Sequence, residues 1–530
     1  MRRTECTAAI ALLSVALLAW QPALPGEGRT LSRAGLGLSA LQAPPAAAPT
    51  DTPALFPQRL GRGDSVLVFA AHPDDEALGA GGLIHAALAA GARVTVVIFT
   101  NGDGYLEGVD VGFRTLFSTP GRFIAYGKQR QTEALAAAAR LGLDPSQVVF
   151  LGYPDRGLAV LWGPRWSCER PYTSPYTHAD RSPYTLSYRT HALYCGENVL
   201  ADVVALLRRE RPTLVITHHP EDTHRDHWAA VAFVDFALET LGLQGEQWAR
   251  TAFVGHFLVH HGVWPVPHIY APDLDLRPPR DLWEGRPGWI TFPVAQADED
   301  AKRLAVLEYH SQANLLRAFM LSFVRRNELF DLYQAAHPAP VEDEDFPLSS
   351  PEAWDRFPPL IRTPGSGSLL RATEGSAILD AVGVGQSPAH LFVVIQLRRP
   401  PIREVQYRVD LRLIYPDGHT ARQFLRFEVS RRLAAERHDA LDLPLSRDAA
   451  ARSFGNRIAI VLPLGGLGDP ASVFLRVVTV GPFRMVVDAT PWSLIRLAAP
   501  GARRSSRAPA PQRHGEVMKT RPTSFEENGE

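Results

Sequence analysis

The sequence contains a compact cluster of histidine and carboxylate side chains, His72-Pro73-Asp74-Asp75-Glu76, directly after an apolar run. Three acids and a histidine at the end of a hydrophobic segment are costly to bury unless a cation compensates them. His72 and Asp75 are three residues apart across a tight turn, so their side chains can converge on one ion, with Asp74 beside it. Acids also favour the positive end of a helix without any metal, but that alternative does not explain His72.

A second cluster, His218-His219-Pro220-Glu221-Asp222-Thr223-His224-Arg225-Asp226-His227, follows another apolar run. His224 and His227 are spaced i, i+3, which places them on one face of a first helical turn. Two histidines and one carboxylate form a three-ligand set that leaves a position for water, as in catalytic zinc sites. Zinc acidifies such a water and polarises a carbonyl. The two clusters together therefore predict a Zn²⁺ site, and because His and Asp ligands also accept iron, Fe²⁺ is the alternative.

Both clusters lie in strand-to-helix loops of a repeating pattern. The apolar runs that predict strands are Ser65–Ala71, Val94–Phe99, Gln147–Leu151, Thr213–Thr217 and Ala252–Val259. The segments that predict helices are Ala77–Ala90, Gln129–Leu141, Glu197–Arg209, His227–Leu241 and a final helical segment over 297–330. This alternation predicts an α/β fold with a Rossmann-like, doubly wound and mostly parallel sheet. The site of such a fold lies at the carboxyl ends of the strands.

The interval from Asp155 to Gly196 interrupts the alternation and predicts a long ordered loop. Its aromatic side chains suit sugar rings, although an aromatic core that packs the loop onto the sheet explains them at least as well. They are Trp162, Trp166, Tyr172, Tyr176, Tyr184 and Tyr188. Cys168 and Cys195 lie in the same interval, and in an exported protein such a pair predicts a disulfide. Two free thiols are the alternative.

The N-terminal residues predict export. Arg2 and Arg3 precede the apolar run Ala8–Trp20, and prolines follow it, which is the pattern of a signal peptide over residues 1–26. A retained N-terminal anchor is the weaker alternative, because a membrane-spanning helix needs about 20 apolar residues. The expected location is the periplasm, the cell envelope or the exterior.

The remaining chain is too long for one domain, since 530 residues exceed by far the usual size of about 150 residues. Residues 27–58 predict a flexible linker, 59–337 a catalytic domain and 338–368 a second linker rich in Pro and acid. Residues 369–498 alternate apolar and polar side chains and predict an antiparallel β-sandwich. Residues 499–530 predict a disordered tail. A net charge of −1 offers no field for nucleic acid.

Ala71-His72-Pro73-Asp74-Asp75-Glu76, followed by Leu78-Gly79-Ala80-Gly81-Gly82 and later by His224-Arg225-Asp226-His227, resembles the PIG-L/LmbE-like de-N-acetylase family over residues 65–330. That family includes N-acetylglucosaminyl-phosphatidylinositol deacetylases and the deacetylases of mycothiol and bacillithiol biosynthesis. The resemblance implies zinc ligands at His72, Asp75 and His227.

The resemblance also implies catalytic roles for three neighbouring residues. Asp74 would be the general base for the attacking water, and His224, as a protonated imidazole, would stabilise the oxyanion or protonate the leaving amine. Asp226 would not bind the metal itself but would orient a histidine.

Two substrate-binding residues follow from the resemblance, namely Arg130 near the substrate and Asp155 on sugar hydroxyls. The alternatives are a surface ion pair of Arg130 with Glu133 and a turn-shaping role for Asp155. The chain departs from some members of the family at Asp222, where they carry a tyrosine two residues before the first histidine of the second motif.

These features predict an exported zinc-dependent hydrolase that removes the N-acetyl group of an amino sugar, with a small molecule or glycan of the N-acetylglucosamine type as substrate. One alternative is a metal-dependent amidase or deacylase on another N-acyl substrate. The other is a non-enzymatic carbohydrate-binding protein of the cell envelope, in which the β-sandwich contacts carbohydrate.

Overall fold

The protein is described from a computed structural model. The structure describes a set of ranges between residues 53 and 499, namely 53–57, 59–113, 118–283, 288–341, 357, 359–362, 375–429, 433–438 and 442–499. The predicted signal peptide lies outside the described residues, as do most of the predicted first linker and nearly all of the predicted tail. None of the helices in the described ranges has both the length and the apolar character that a bilayer span requires.

Helices and strands alternate through the first part of the described chain. The helices are α1 Asp75–Ala89, α2 Leu106–Phe113, α3 Pro120–Arg140, α4 Leu158–Trp162, α5 Gly196–Glu210, α6 Arg225–Leu243, α7 Gln247–Thr251, α8 Arg280–Trp283, α9 Gln296–Glu308 and α10 His310–Leu321. The strands are β1 Ala54–Leu55, β2 Ser65–Ala70, β3 Arg93–Thr100, β4 Val148–Tyr153, β5 Leu214–His218, β6 Phe253–Phe257, β7 Trp289–Pro293 and β8 Asn327–Asp331.

These eight strands form one mostly parallel sheet in the order β1-β7-β8-β6-β5-β2-β3-β4. The chain first runs outward from β2 through β3 to β4, and then returns to place β5 on the other side of β2. The two strands that precede the histidine clusters are therefore neighbours, and their carboxyl ends meet at one edge. The prediction of a mixed α/β fold with a mostly parallel sheet is confirmed.

Strand β2 is buried on both faces, as its continuous apolar run predicts. Val66 and Val68 pack into one hydrophobic cluster with α1, while Leu67 and Phe69 point to the opposite cluster with α6. Helices thus cover both sides of the sheet, and the polar residues that follow β2 emerge at its carboxyl end.

The prediction of helix up to residue 330 is wrong at its end. The helices α9 and α10 stop at Leu321, and Asn327–Asp331 forms β8, which pairs antiparallel with β7 and contacts β6. The local sequence carries no Gly or Pro to mark this change, so pairing with distant strands overrides the local helical pattern. The helix predicted from Gln129 begins earlier, at Pro120, a residue suited to the first helical turn.

The C-terminal region contains two further sheets, in which nearly all strand pairs are antiparallel. Its strands are β9 Ala339–Pro340, β10 Pro359–Arg362, β11 Leu379–Gln386, β12 His390–Leu397, β13 Gln406–Ile414, β14 Thr420–Phe427, β15 Ala434–Glu436, β16 Ala450–Phe454, β17 Arg457–Pro463, β18 Ser472–Val480, β19 Val486–Ala489 and β20 Ser493–Arg496. One sheet has the order β10-β11-β12-β17-β16 and the other β15-β14-β13-β18-β19. Apolar residues of both sheets belong to one cluster that includes Val393 and Leu411.

Parts of the predicted linkers belong to sheets. Strand β1 pairs with β7, and strands β9 and β10 both pair with β11. The prolines in these segments do not prevent the pairing, because proline is tolerated at sheet edges.

The described residues lie in one compact unit, and aromatic residues of the long loop help to join its two regions. The Arg412 guanidinium lies 3.9 Å from the ring centroids of both Trp162 and Trp166. Phe474 and Trp492 of the C-terminal region belong to the same cluster. For these two tryptophans the packing alternative is therefore the correct one.

Candidate active site

The first histidine cluster forms the turn between β2 and α1. Helix α1 begins at Asp75, and Asp74 at its N-cap has a left-handed backbone with φ 128°. A non-glycine residue in that conformation is strained, and such strain persists mainly at functional sites. The turn brings the His72 backbone N–H within 2.8 Å of Asp75 Oδ2.

Three side chains from the two clusters converge on one point. His72 Nδ1 lies 3.2 Å from Asp75 Oδ2 and 3.1 Å from His227 Nε2. Asp75 Oδ2 and His227 Nε2 are 3.3 Å apart. We call His72, Asp75 and His227 the His/Asp triad. All three residues are buried, with at most 8% of their surface exposed.

The triad fits a divalent metal ion. Ligand atoms about 2.0–2.1 Å from a tetrahedral zinc are separated from one another by roughly 3.3 Å, which matches the three distances between the ligand atoms. Two imidazole nitrogens and a carboxylate oxygen are also a zinc-type donor set. Although burial alone would lower it, hydrogen bonds to Asp155, Asp226 and Asp75 raise the pKa of His72 well above its usual range. The surroundings therefore favour a cation at this position.

The other ring nitrogen of His72 faces two carboxylates. His72 Nε2 lies 3.1 Å from Asp155 Oδ1 and 3.5 Å from Asp226 Oδ2. A carboxylate behind a metal-binding histidine fixes its tautomer and its orientation. Asp226 is placed as the sequence-based hypothesis requires, whereas Asp155 contacts His72 and the Gly104 backbone N–H in addition to lining the pocket.

Asp222 is a functional residue whose role the sequence did not indicate. Its Oδ2 accepts hydrogen bonds of 3.0 Å from His227 Nδ1 and from the backbone N–H groups of Val259 and His260. Although burial raises it, the positive charge of His227 and this bond hold the pKa of Asp222 well below its usual range. Asp222 therefore orients His227 as Asp226 and Asp155 orient His72. The only indication of this role in the sequence was the position of Asp222 within the second histidine cluster, two residues before His224.

Asp222→Asn is expected to weaken metal binding about 10–100-fold, the effect typical of losing a carboxylate behind a metal ligand. The amide cannot supply the negative charge that favours the Nδ1–H tautomer of His227. Metal affinity measured by competition with a chelator checks this result. Asp180→Asn is the matched control, because Asp180 is a half-exposed acid paired with Arg181. Equal affinity in the Asp222 variant and wild type would contradict the orienting role.

Arg130 holds Asp74 beside the triad. The Arg130 guanidinium donates to Asp74 Oδ2 at 3.2 Å and to the carbonyl oxygens of Pro73 and Gly102. Burial raises the pKa of Asp74 to about 8, and the positive charge of Arg130 opposes this effect. Arg130 is thus a positioning residue in the structure. The alternative ion pair with Glu133 is not formed, because Glu133 accepts hydrogen bonds from Ser311 instead.

The surroundings of His224 favour the neutral imidazole, whereas the resemblance implies a protonated one, which stays a prediction. Its Nδ1 accepts a hydrogen bond from the backbone N–H of Asp226 at 3.3 Å, where His224 caps helix α6. Burial, followed by the nearby charges of His227 and His72, holds the pKa of His224 well below its usual range. The other nitrogen, Nε2, then carries the proton and is a hydrogen-bond donor.

His218, the first residue of the second cluster, contacts a residue of the first cluster and the residue that precedes that cluster. Its Nε2 accepts a hydrogen bond of 2.9 Å from the backbone N–H of Ala71 and lies 3.4 Å from Asp75 Oδ2. Two further groups of three possible ligands each share two residues with the triad. One consists of Asp75, His218 and His227, and the other of His72, His224 and His227.

A pocket of about 220 Å³ opens onto the triad. Its lining combines ionisable residues with an apolar wall and consists of His72, Asp74, Asp75, Leu78, Tyr105, Arg130, Asp155, Arg156, His224, Val259, His260, Gln312, Leu316, Phe319 and Met320. Every sequence-predicted site residue lines this pocket except Asp226 and His227, which lie behind it. A larger cavity of about 750 Å³ lies between α6 and the C-terminal strands, away from the triad.

The protein thus has a mixed α/β fold with a mostly parallel sheet. Its candidate metal centre, the His/Asp triad, lies at the carboxyl ends of two adjacent strands. Residues 67–238 match the family model PIG-L, described as GlcNAc-PI de-N-acetylase. This part of the chain is a PIG-L domain.

Two curated relatives are both described as 1D-myo-inositol 2-acetamido-2-deoxy-alpha-D-glucopyranoside deacetylase. The relative from Streptomyces avermitilis is 28% identical over 166 residues, which are 31% of this chain and 48% of the relative. The relative from Tsukamurella paurometabola is 32% identical over 195 residues, which are 35% of this chain and 59% of the relative. The chain thus matches only about half the length of these relatives.

Solved deacetylase structures are also similar to this chain. The N,N'-diacetylchitobiose deacetylase from Pyrococcus horikoshii aligns at 18% identity and a TM-score of 0.28, covering 50% of this chain and 82% of that chain.

Proposed function

We propose that the protein is a metal-dependent hydrolase that removes the N-acetyl group of an amino sugar. The observation that carries this proposal is the His/Asp triad with Asp74 beside it at the floor of one pocket. The PIG-L match and the two curated relatives, both of which are named as deacetylases of an acetamido sugar, support it. We further propose zinc as the native metal, with iron as the alternative.

The triad, Asp74 and His224 have separate roles in the proposed reaction. When bound by the triad, a divalent metal would acidify a water molecule and polarise the acyl carbonyl. Asp74 is positioned to accept the proton of the attacking water, and its raised pKa suits a general base near neutral pH. His224 Nε2–H is positioned to donate a hydrogen bond to the developing oxyanion. As the C–N bond breaks, the protonated Asp74 returns its proton to the amide nitrogen, which leaves as the free amine. The acetic acid formed then loses its remaining proton to solvent, so that acetate and a free amine are the products.

The substrate we propose is a glycan or small molecule of the N-acetylglucosamine type. The apolar wall of the pocket, formed by residues that include Leu316, Phe319 and Met320, favours one second candidate, an N-acyl sugar with a longer acyl chain. Both candidates use the same triad and differ only in what contacts this wall.

Three further expectations remain proposals. Export rests on the pattern of Ala8–Trp20 and the basic residues before it. A disulfide between Cys168 and Cys195 is supported by their Cα separation of 5.1 Å, which lies in the range that disulfides require. The two C-terminal sheets are proposed to form a β-sandwich that contacts envelope carbohydrate.

The test is acetate release by the full chain. The protein is purified, stripped with a chelator and reloaded with Zn²⁺ or Fe²⁺, and then given N-acetylglucosamine, N,N'-diacetylchitobiose, the acetamido-glucosyl inositol of the curated relatives and N-octanoylglucosamine. Acetate or octanoate and the free amine are quantified together. Metal-dependent release of both products in equal amounts supports the proposal. Sugar binding without release by the loaded protein would instead favour the non-enzymatic alternative.

Arg130→Met is expected to shift the acid limb of the kcat/KM profile upward by about 1–3 pH units, because an opposite charge at this distance lowers the pKa of a carboxyl. Activity needs ionised Asp74, and it falls as the pH drops below the pKa of that residue. Loss of the guanidinium raises this pKa further, so activity is lost at a higher pH than in wild type. Arg130→Lys keeps the charge and is expected to retain most of the wild-type limb. An unchanged profile for the Met variant would contradict the assignment of Asp74 as the base.

A further inference from the structure

Two arginines line the pocket, and they differ in what contacts their side chains within the described part of the chain. Arg130 is buried and occupied by Asp74. Arg156 also lines the pocket, but its side chain is exposed and forms no ion pair or side-chain hydrogen bond with the residues that the structure describes. Its guanidinium lies 5.8 Å from the centre of the Tyr176 ring, a distance at which an aromatic face attracts a cation.

The backbone of Arg156 has a conformation that favours glycine. Its φ is 59°, in the left-handed region, where a side chain is strained. Asp226 fixes this conformation, because its carboxylate accepts the backbone N–H of Arg156 at 2.5 Å and that of Leu158 at 3.0 Å. A charged side chain at a strained position on the rim of a pocket indicates that the side chain has a function there.

The carboxylates of the pocket do not need Arg156. Asp74 is bonded to Arg130. Asp155 accepts from the Gly104 backbone N–H at 2.8 Å and lies 3.1 Å from His72 Nε2. Arg156 is therefore available to a negative group that arrives with the substrate.

The geometry points to an anion subsite at Arg156: the substrate is an N-acetylated amino sugar that carries a phosphate or carboxylate group, and the Arg156 guanidinium binds that group. A guanidinium presents paired N–H donors that match both anions. Tyr105 lines the same pocket and Tyr176 lies beside the Arg156 guanidinium, so aromatic surface for a sugar ring is close to the subsite. This inference rests on the proposed function, because it assumes that the acetamido group of the same molecule reaches the triad.

The test compares sugars with one common ring and different charge. N-acetylglucosamine is neutral, N-acetylglucosamine 6-phosphate carries a phosphate, and N-acetylmuramic acid carries a carboxylate. The kcat and KM for each are measured with the metal-loaded full chain. The variants are Arg156→Gln, which removes the charge, Arg156→Gly, which also removes the backbone strain, and Arg156→Lys, which keeps the charge.

We expect Arg156→Gln and Arg156→Gly to raise KM for one of the anionic sugars by about tenfold or more, the usual effect of losing a charge-assisted hydrogen bond. The KM for N-acetylglucosamine stays within about twofold, and Arg156→Lys retains most of the preference for the anion. The sugar whose KM rises identifies phosphate or carboxylate as the group bound. Arg181→Gln is the matched control, since Arg181 is an exposed arginine paired with Asp180 and does not line the pocket.

Two results would overturn the inference. One is an equal loss on neutral and anionic sugars, and the other is no change in KM for either anionic sugar. Arg156→Gly is expected to unfold at the same temperature as wild type or higher, because glycine suits the left-handed backbone. A lower unfolding temperature would contradict the backbone argument.

A failure of the proposed function gives a different result. If the wild-type protein releases acetate from no sugar, the anion subsite is decided by calorimetric titration with N-acetylglucosamine 6-phosphate and N-acetylmuramic acid. Tighter binding of one of them to wild type than to Arg156→Gln supports the subsite even then. Equal binding to both proteins overturns it, whether or not the neutral sugar is deacetylated.

Discussion

His227→Gln is expected to lose stoichiometric metal and to lower acetate release by about 1000-fold or more, because a metal supplies several kcal/mol of transition-state stabilisation. His227 contributes the only triad nitrogen from the second cluster, and it is fully buried against Asp222. Glutamine fills a similar volume, but its amide cannot replace an imidazole nitrogen as a metal ligand. Metal content by mass spectrometry and kcat/KM on the same preparation check both parts of this prediction.

His256→Gln provides the matched control. His256 is also a buried histidine, on β6, and it contacts the Asp331 carbonyl oxygen and Asp235 rather than the triad. We expect this variant to keep its metal and to retain activity within about threefold, even if it unfolds more easily. Full metal content in the His227 variant, or equal losses in both variants, would show that the triad does not hold the metal.

The strands that carry the site could be predicted because each is a short apolar run followed at once by polar residues. Residues 65–70 and 214–218 are buried on both faces, and such burial leaves a strong local signal. The two clusters stand at the carboxyl ends of these runs, so the parallel order of the strands was enough to bring His72 and His227 together.

Two of the carboxylates that orient the triad, Asp155 and Asp222, could not be assigned this role in the same way. Asp155 follows β4, which is separated from β2 by β3, so its contact with His72 depends on how the turn after β4 bends across the sheet edge. Asp222 reaches His227 because its carboxylate is also held by backbone N–H groups of the segment after β6. The contact of Asp155 with His72 and the contacts of Asp222 with Val259 and His260 join residues that are distant in sequence. They follow from the sheet order, and local patterns do not contain them.

The same reasoning applies to Arg130 and His224, whose roles in the reaction stay predictions. Arg130 was expected near the substrate, and it does line the pocket, but its guanidinium is occupied by Asp74 and by backbone carbonyls. His224 was expected to be protonated, yet its position as the cap of α6 uses Nδ1 as an acceptor. For both residues the side-chain type indicated a place in the site. The hydrogen-bond partners and the protonation state depend on the three-dimensional surroundings.

Asp74→Asn is expected to keep the metal and to lower kcat by about 100–10,000-fold, the usual contribution of a general base. Asp74 and Asp75 are adjacent in the sequence, so the effects of replacing each one can be compared directly. Asp75 Oδ2 belongs to the triad, whereas the Asp74 carboxylate accepts a hydrogen bond from Arg130 and the Asp74 backbone N–H donates to the Glu76 carboxylate. The substituted side chain would still accept the Arg130 hydrogen bond through its amide oxygen, so the turn is retained while the proton acceptor is lost.

Asp75→Asn is expected to lose both metal and activity, so the two neighbouring substitutions should separate ligation from proton transfer. Metal content and kcat are measured on both variants, and the pH profile is measured for Asp74→Asn, whose remaining activity should lose the acid limb that ionisation of Asp74 produces. An Asp74→Asn enzyme that holds metal and turns over at the wild-type rate would exclude Asp74 as the base. Another carboxylate of the pocket, with Asp155 the nearest to His72, would then have to accept the proton.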